Sequence, residues 1–160
     1  MDLKDCIKFA TENPVCYLAT AEGDQPRVRT FLLWYADESG FYFVPTGQKQ
    51  VTKQLQQNPK LEVCFYNNAA DAADWKQMRV TGEIEFLEDE ESLEKAYQNR
   101  SFLDDILGFS VRPLVRPCRI PTGEVHFWTR GQFKGVRNRK DQILKQLGSA
   151  IAARVHPPAG

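Results

Sequence analysis

Lys49 and Lys53 stand four residues apart in a stretch, Ser39 to Leu61, that carries three lysines and no acidic residue. Helical spacing puts the pair on one face, where like charges repel by about 0.2–0.5 kcal/mol. Lys49 also falls in the first helical turn, where the helix dipole disfavours a cation. A bound phosphate would reverse both penalties, because free backbone N–H groups, the Thr46 hydroxyl and two ammonium groups could share one dianion. The plainer reading is a pair of solvated lysines among glutamines, with salt masking the repulsion. Thr46-Gly47-Gln48-Lys49 lacks the upstream glycine and the following hydroxyl of a GxxxxGK[ST] loop, so nucleoside triphosphate hydrolysis is set aside.

Arg29 lies in the most apolar strand-like segment, and Arg27, two residues earlier, points to the same side by period-two alternation. A mid-strand arginine requires an anion: either a ligand or an acidic neighbour such as Glu62 or Glu85. Trp128, in Glu124-Val-His-Phe-Trp, serves either the core or an aromatic wall for a planar ligand, and Trp34 and Trp75 divide the same way.

No catalytic side chain can be assigned. The chain has no Gly-x-Ser-x-Gly elbow, no HExxH and no cysteine next to a histidine in sequence. Glu83, Glu85, Glu88, Asp89, Glu90, Glu91 and Glu94 read as a solvated strand edge and helix start. Cys6, Cys16, Cys64 and Cys118 are too scattered for a disulfide frame or zinc site, and no metal ligand set is assigned. Free thiols point to the cytoplasm. A phosphate-binding segment and aromatic walls without acid/base groups imply that a cofactor carries the chemistry.

These residues need a scaffold. Asp2 can cap a helix ended by Asn13-Pro14. Strands are expected at Val15–Ala21, Arg27–Tyr35 and Phe41–Val44, with turns at Glu22–Gln25 and Asp37–Gly40. A helix follows at about Gln48–Gln57, then strands at Leu61–Tyr66 and Met78–Leu87. An acidic helix at Glu88–Gln98 precedes Ser101-Phe-Leu-Asp104, which has capping-box spacing and Gly108 as a stop. Strands near Leu114–Ile120 and Glu124–Trp128 lead to a basic helix at about Asn138–Leu147. Short strands that do not alternate regularly with helices predict a mainly β, α+β fold, an antiparallel β-barrel with flanking helices. The domain is expected over 1–147, with 148–160 a flexible tail.

Composition narrows the function classes. Twenty-one basic against 21 acidic residues give no overall field toward nucleic acid or anionic lipid. Arg130, Lys134, Arg137, Arg139, Lys140 and Lys145 form a local basic run, read as a solvated amphipathic helix rather than a nucleic-acid site. The longest apolar run, Phe31 to Ala36, is far short of the ~20 residues of a membrane span, and neither a span nor a signal peptide is expected. Phe31-Leu-Leu-Trp-Tyr35 is apolar on both faces, so flanking helices or a second copy of the chain must cover it.

Five segments together resemble the pyridoxamine 5′-phosphate oxidase-like family of FMN-binding split barrels: Val15-Cys-Tyr-Leu-Ala-Thr-Ala, Pro26-Arg-Val-Arg-Thr-Phe, Phe41-Tyr-Phe-Val-Pro-Thr, Lys49 through Pro59, and Trp75-Lys-Gln-Met-Arg-Val-Thr-Gly82. The resemblance implies a homodimer with FMN at the subunit interface and an oxidoreductase acting on an unidentified small molecule. It implies that Arg29 reaches the FMN phosphate or ribityl chain and that Thr46, Lys49 and Lys53 clamp the phosphate. Val44, Pro45 and Thr30 would present backbone groups to the flavin ring, and Gln77 and Trp128 would arrive from the partner chain. The stretch Thr129-Arg-Gly-Gln-Phe-Lys-Gly135 lacks the Arg-x-His-Asp-Arg run that grips substrate phosphate in the true oxidases, which points away from pyridoxamine phosphate itself. The alternatives are a non-catalytic flavin carrier or redox sensor, or a barrel that binds haem or a deazaflavin, with His126 the in-strand iron ligand.

Overall fold

The computed structural model describes residues 2–129 and 142–145. Helix α1 (Leu3–Glu12) starts in a reciprocal box in which Asp5 N–H donates to the Asp2 carboxylate and Asp2 N–H donates to the Asp5 carboxylate, both at 3.0 Å. It buries Cys6, Phe9 and Ala10, with Phe9 edge-on to Phe127 at 5.1 Å between ring centres.

Strands β1 (Val15–Glu22) and β2 (Gln25–Leu32) form a hairpin, followed by β3 (Tyr35–Asp37) and β4 (Gly40–Phe43). Helix α2 (Gln50–Gln57) precedes β5 (Lys60–Tyr66), β6 (Lys76–Glu83) and β7 (Glu85–Phe86). Helices α3 (Glu90–Arg100) and α4 (Phe102–Leu107) lead to β8 (Cys118–Ile120), β9 (Gly123–Thr129) and β10 (Gln142–Lys145). The strands make a six-stranded sheet, β10-β9-β6-β5-β1-β2, and a four-stranded sheet, β3-β4-β8-β7, with every pairing antiparallel. The mainly β, α+β architecture expected from the sequence is therefore present.

Alternation builds the core. Cys16 and Leu18 of β1, Val63 and Phe65 of β5, Met78 and Val80 of β6, and Val125 and Phe127 of β9 point inward against Phe41, Phe43 and Ile120. Each large apolar side chain buried this way stabilises by about 1.5–3 kcal/mol. A second cluster joins Val44, Ala96, Val111 and Val115, with Trp34 packed against it, so Trp34 serves packing. The opposite face of the six-stranded sheet leaves apolar groups bare: Val28 is 71% exposed, Val15 57%, Tyr17 47% and Leu32 44%. Of the run Phe31–Tyr35, which the sequence requires something to cover, only Leu32 lies on this face; Phe31 packs on the core, Leu33 is buried and Trp34 packs on the second cluster.

Several elements differ from expectation. The segment read as one strand from Arg27 to Tyr35 divides at Leu33-Trp34, where Leu33 N–H donates to Pro14 and Trp34 N–H to Tyr42 as the chain passes between sheets. Met78–Leu87 likewise divides at Ile84, whose N–H donates to Pro59. Pro113 and Pro117 remove ladder donors, so Leu114–Ile120 is strand only over β8, after a 3-10 turn at Arg112–Leu114. Ser101 is itself in helical conformation and donates to Gln98 O, so no capping box forms there. Gly108 ends α4 in the left-handed conformation, φ 75°, as the sequence predicts.

The helix expected at Asn138–Leu147 is corrected over Gln142–Lys145, where the chain is β10, paired with β9 in the register Gln142↔Phe127 to Lys145↔Glu124. The exposed backbone groups of the β9 edge outweigh local helical periodicity. The remainder of that predicted helix, the rest of the basic run and the 148–160 tail lie outside the described residues. Among the described residues no helix is long and apolar enough to cross a membrane.

Candidate functional site: a basic cavity at the edge of β2

The end of β4 and the start of α2 are locked by the segment after the 3-10 turn. Arg116 N–H donates to Pro45 O at 2.9 Å, Gly47 N–H donates to Leu114 O at 2.7 Å, and Thr46 bridges Val115. The Thr52 hydroxyl donates back to Thr46 O at 2.7 Å, which fixes the turn against the helix it introduces. Lys49 is the N-cap residue of α2, and no side chain caps this terminus. The first turn carries no acidic residue, so among the described residues the positive end of the helix and the exposed Lys49 charge have no acidic complement.

Between this turn and β2, the outermost strand of its sheet, lies a cavity of about 390 Å³. It gathers Thr30, Val44, Pro45, Thr46 and Lys49, five of the residues expected at the site. Val15, Phe31 and Leu32 supply an apolar wall. An edge strand offers unpaired backbone N–H and C=O groups to a ligand alongside it.

Arg29 and Lys53 are not among the cavity-lining residues. Arg29 turns to the inner face of β2 and donates to Thr20 Oγ1 at 2.8 Å and Gln54 Oε1 at 2.6 Å. The Thr20 hydroxyl donates to the same Gln54 oxygen at 2.7 Å, and Thr20 and Gln54 are both buried. Burial, and then the Arg27 charge, lowers the Arg29 pKa from its ordinary value. Neither Glu62 nor Glu85 is its partner, since these pair with Arg79 and Arg119. Lys53 is exposed on α2, one residue before Gln54.

The α3–α4 junction closes the cavity with Arg100, Phe102 and Leu103, none of which the sequence singled out. Arg27, Arg79, Arg112 and Arg119 each pair with glutamate, but Arg100 has no carboxylate partner among the described residues. Burial alone pushes its pKa down. An arginine in the last turn of a helix is an ordinary complement to the helix dipole, so only the tertiary fold reveals its position.

Gln77 and Trp128 lie opposite each other on β6 and β9, both half-buried, and neither lines the cavity. Trp75 is partly exposed, donates to Ala69 O at 2.9 Å and meets Tyr66 edge-on. His126 is 3.9 Å from Glu124, and no group of three metal-ligating side chains forms among the described residues. The acidic run is structural: Asp89 caps α3, Glu90 and Glu94 pair with Arg112, and Glu91 pairs with Lys95.

Comparison with known proteins places this geometry. The chain is similar to a NimC/NimA family protein from Clostridium acetobutylicum, at 32% identity, 80% coverage of this chain, 85% of the other and a TM-score of 0.66. It shares its fold with an FAD-binding protein from Mesorhizobium loti, at 23% identity, 79% and 94% coverage and a TM-score of 0.63. The same fold occurs in PhzG from Burkholderia lata, solved with tetrahydrophenazine-1-carboxylic acid, at 18% identity, 79% and 77% coverage and a TM-score of 0.61. A search of curated proteins found no match. The family model for pyridoxamine 5′-phosphate oxidase matches residues 3–112, well over half of the chain, and the chain belongs to that family.

Proposed function

We propose that this protein binds FMN in the cavity beside β2 and acts as an oxidoreductase on a small organic anion. The observation that carries the reading is Lys49 at an uncapped, acid-free helix N-terminus, facing a cavity on the outermost strand of the sheet. The volume falls within the roughly 300–1,000 Å³ usual for small-molecule sites. Thr46 and Lys49 would hold the phosphate at the cavity wall, and Lys53 and Arg29, which lie beyond its lining, would reach it from α2 and β2; the acceptors of Arg29 among the described residues are neutral. Backbone groups of Thr30, Val44 and Pro45 would face the ring.

A bound flavin supplies hydride acceptance, so the chain needs to bind and orient rather than provide an acid or base. Arg100 would fix the anionic group of a substrate while Phe102 and Leu103 receive its apolar part. A homodimer joined through the bare sheet face would cover Val15, Tyr17, Val28 and Leu32 and bring in the partner's Gln77 and the partner's Trp128. Free Cys6, Cys16, Cys64 and Cys118 suit a cytoplasmic setting.

The test is the visible spectrum of the purified protein after incubation with FMN, followed by anaerobic mixing with NADH or NADPH. A retained flavin band that bleaches supports the reading. A protein that retains no flavin overturns it, and a band that no donor bleaches leaves a carrier or sensor in place of the enzyme.

A further inference from the structure

Three charged side chains converge where the β1–β2 hairpin meets α2. Every acceptor of Arg29 among the described residues is neutral: Thr20 Oγ1, Gln54 Oε1, Leu18 O at 3.2 Å and Arg27 O at 3.3 Å. A carboxylate is nonetheless close by. Glu22 follows Thr20 by two residues on the same side of β1, Thr20 accepts from Arg29, and Arg27, which holds Glu22, precedes Arg29 by two residues on the same side of β2. Glu22 is already taken, because Arg27 places Nη2 at 2.7 Å and Nε at 2.9 Å from one of its carboxylate oxygens. Two donors on one oxygen make a charge-assisted pair at the surface.

We infer that Arg27 acts as a decoy cation: by holding Glu22, it withholds that carboxylate from Arg29 and keeps the Arg29 charge for the phosphate of the ligand. The inference rests on the reading of Arg29 as a phosphate ligand. Arg27 is then a specificity-determining residue that touches no ligand atom. Its role is to make the site prefer a phosphorylated flavin over an unphosphorylated one. Without Arg27, Glu22 turns to Arg29, the neighbouring cation that has no carboxylate partner among the described residues. The net charge of the three groups then falls from +1 to 0, and the phosphate meets an ion pair instead of an uncompensated guanidinium.

The test compares dissociation constants for FMN and riboflavin by flavin fluorescence, with thermal melts to show that each variant is folded. Arg27→Met should weaken FMN binding by roughly tenfold, the scale of one lost charge-assisted bond, and leave riboflavin unchanged. Glu22→Gln alone should leave FMN affinity where it is, because Glu22 is already held. Arg27→Met with Glu22→Gln should restore the wild-type value.

Lys8→Gln removes an equal charge at α1, away from the site, and should change nothing. The inference is overturned by an Arg27→Met protein with wild-type FMN affinity, by a double variant as weak as the single one, or by Lys8→Gln weakening FMN equally. A separate arm addresses the underlying reading. If Arg29→Met keeps the full preference for FMN over riboflavin, Arg29 does not bind the phosphate, whatever Arg27→Met does.

Discussion

Gln77 and Trp128 stand directly opposite each other across β6 and β9, on the outward face of the six-stranded sheet. β6 is three strands from β2 and β9 is four. At about 4.8 Å per strand, they are set roughly 14 and 19 Å from the strand that edges the cavity. Within one chain they cannot both close it. In the proposed dimer, a second copy laying the same face against the first would reach across that gap and join the bare Val15, Tyr17, Val28 and Leu32 to the site.

Charges on that face should therefore separate the subunits and release the flavin together. Tyr17→Asp with Val28→Asp is expected to give a folded monomer by sedimentation velocity, with unchanged far-ultraviolet circular dichroism and no bound flavin. A dimer that persists with its flavin would show that this face is not the interface.

Arg100 should separate substrate binding from cofactor binding. Benzoate, an apolar ring with one carboxylate, is expected to perturb the spectrum of the flavin-loaded protein. Arg100→Met should weaken that effect by roughly tenfold while FMN affinity stays constant. Loss of FMN affinity in the same variant would reassign Arg100 to the cofactor.

The Cys16 thiol is pushed up from 9.0 to about 12, by burial first and then by Cys64. The folded state thus holds its proton more tightly than the unfolded chain does. The stability it contributes is fully present below about pH 9 and is lost as the pH rises toward about 12. Urea unfolding between pH 8 and 11 should show a shallower alkaline decline in Cys16→Ala than in wild type. Parallel declines would mean that Cys16 does not govern it.

Gly40 opens β4 at φ +143°, and a Cβ there would lie 2.3 Å from Ile120 O on the neighbouring β8. Gly40→Ala should destabilise by at least roughly 1–3 kcal/mol, as both strain and collision act. Chemical denaturation measures this, and a wild-type midpoint would contradict the close approach of β4 to β8.

The fold was legible where one residue decides locally. Alternation in β1, β5 and β9 marks their inward sides, and Asp2, Asn13 and Gly108 punctuate helices as their side chains or lack of one require. It was not legible where the decision is made across the molecule. β10 exists because β9 has an edge to pair, and the breaks at Leu33-Trp34 and Ile84 exist because strands pass between sheets.

The site divides in the same way. Thr46 and Lys49 were visible because a charge imbalance at a helix start is a local property. Arg29 was visible as an arginine in need of a partner, but its bonds to Thr20 and Gln54 depend on where α2 packs. Arg100 was invisible, since nothing in Asn99-Arg-Ser-Phe102 separates it from any helix end.

The most direct measurement is the ratio of riboflavin to FMN dissociation constants, in wild type and in Lys49→Ala with Lys53→Ala. Each lost charge-assisted contact to phosphate costs about 1.5–3 kcal/mol. Wild type should therefore favour FMN by at least tenfold. The double variant should lose most of that preference while its riboflavin affinity and thermal midpoint hold. Equal affinity for the two flavins in wild type, or a preference untouched by removal of both lysines, would contradict a phosphate seated at the start of α2.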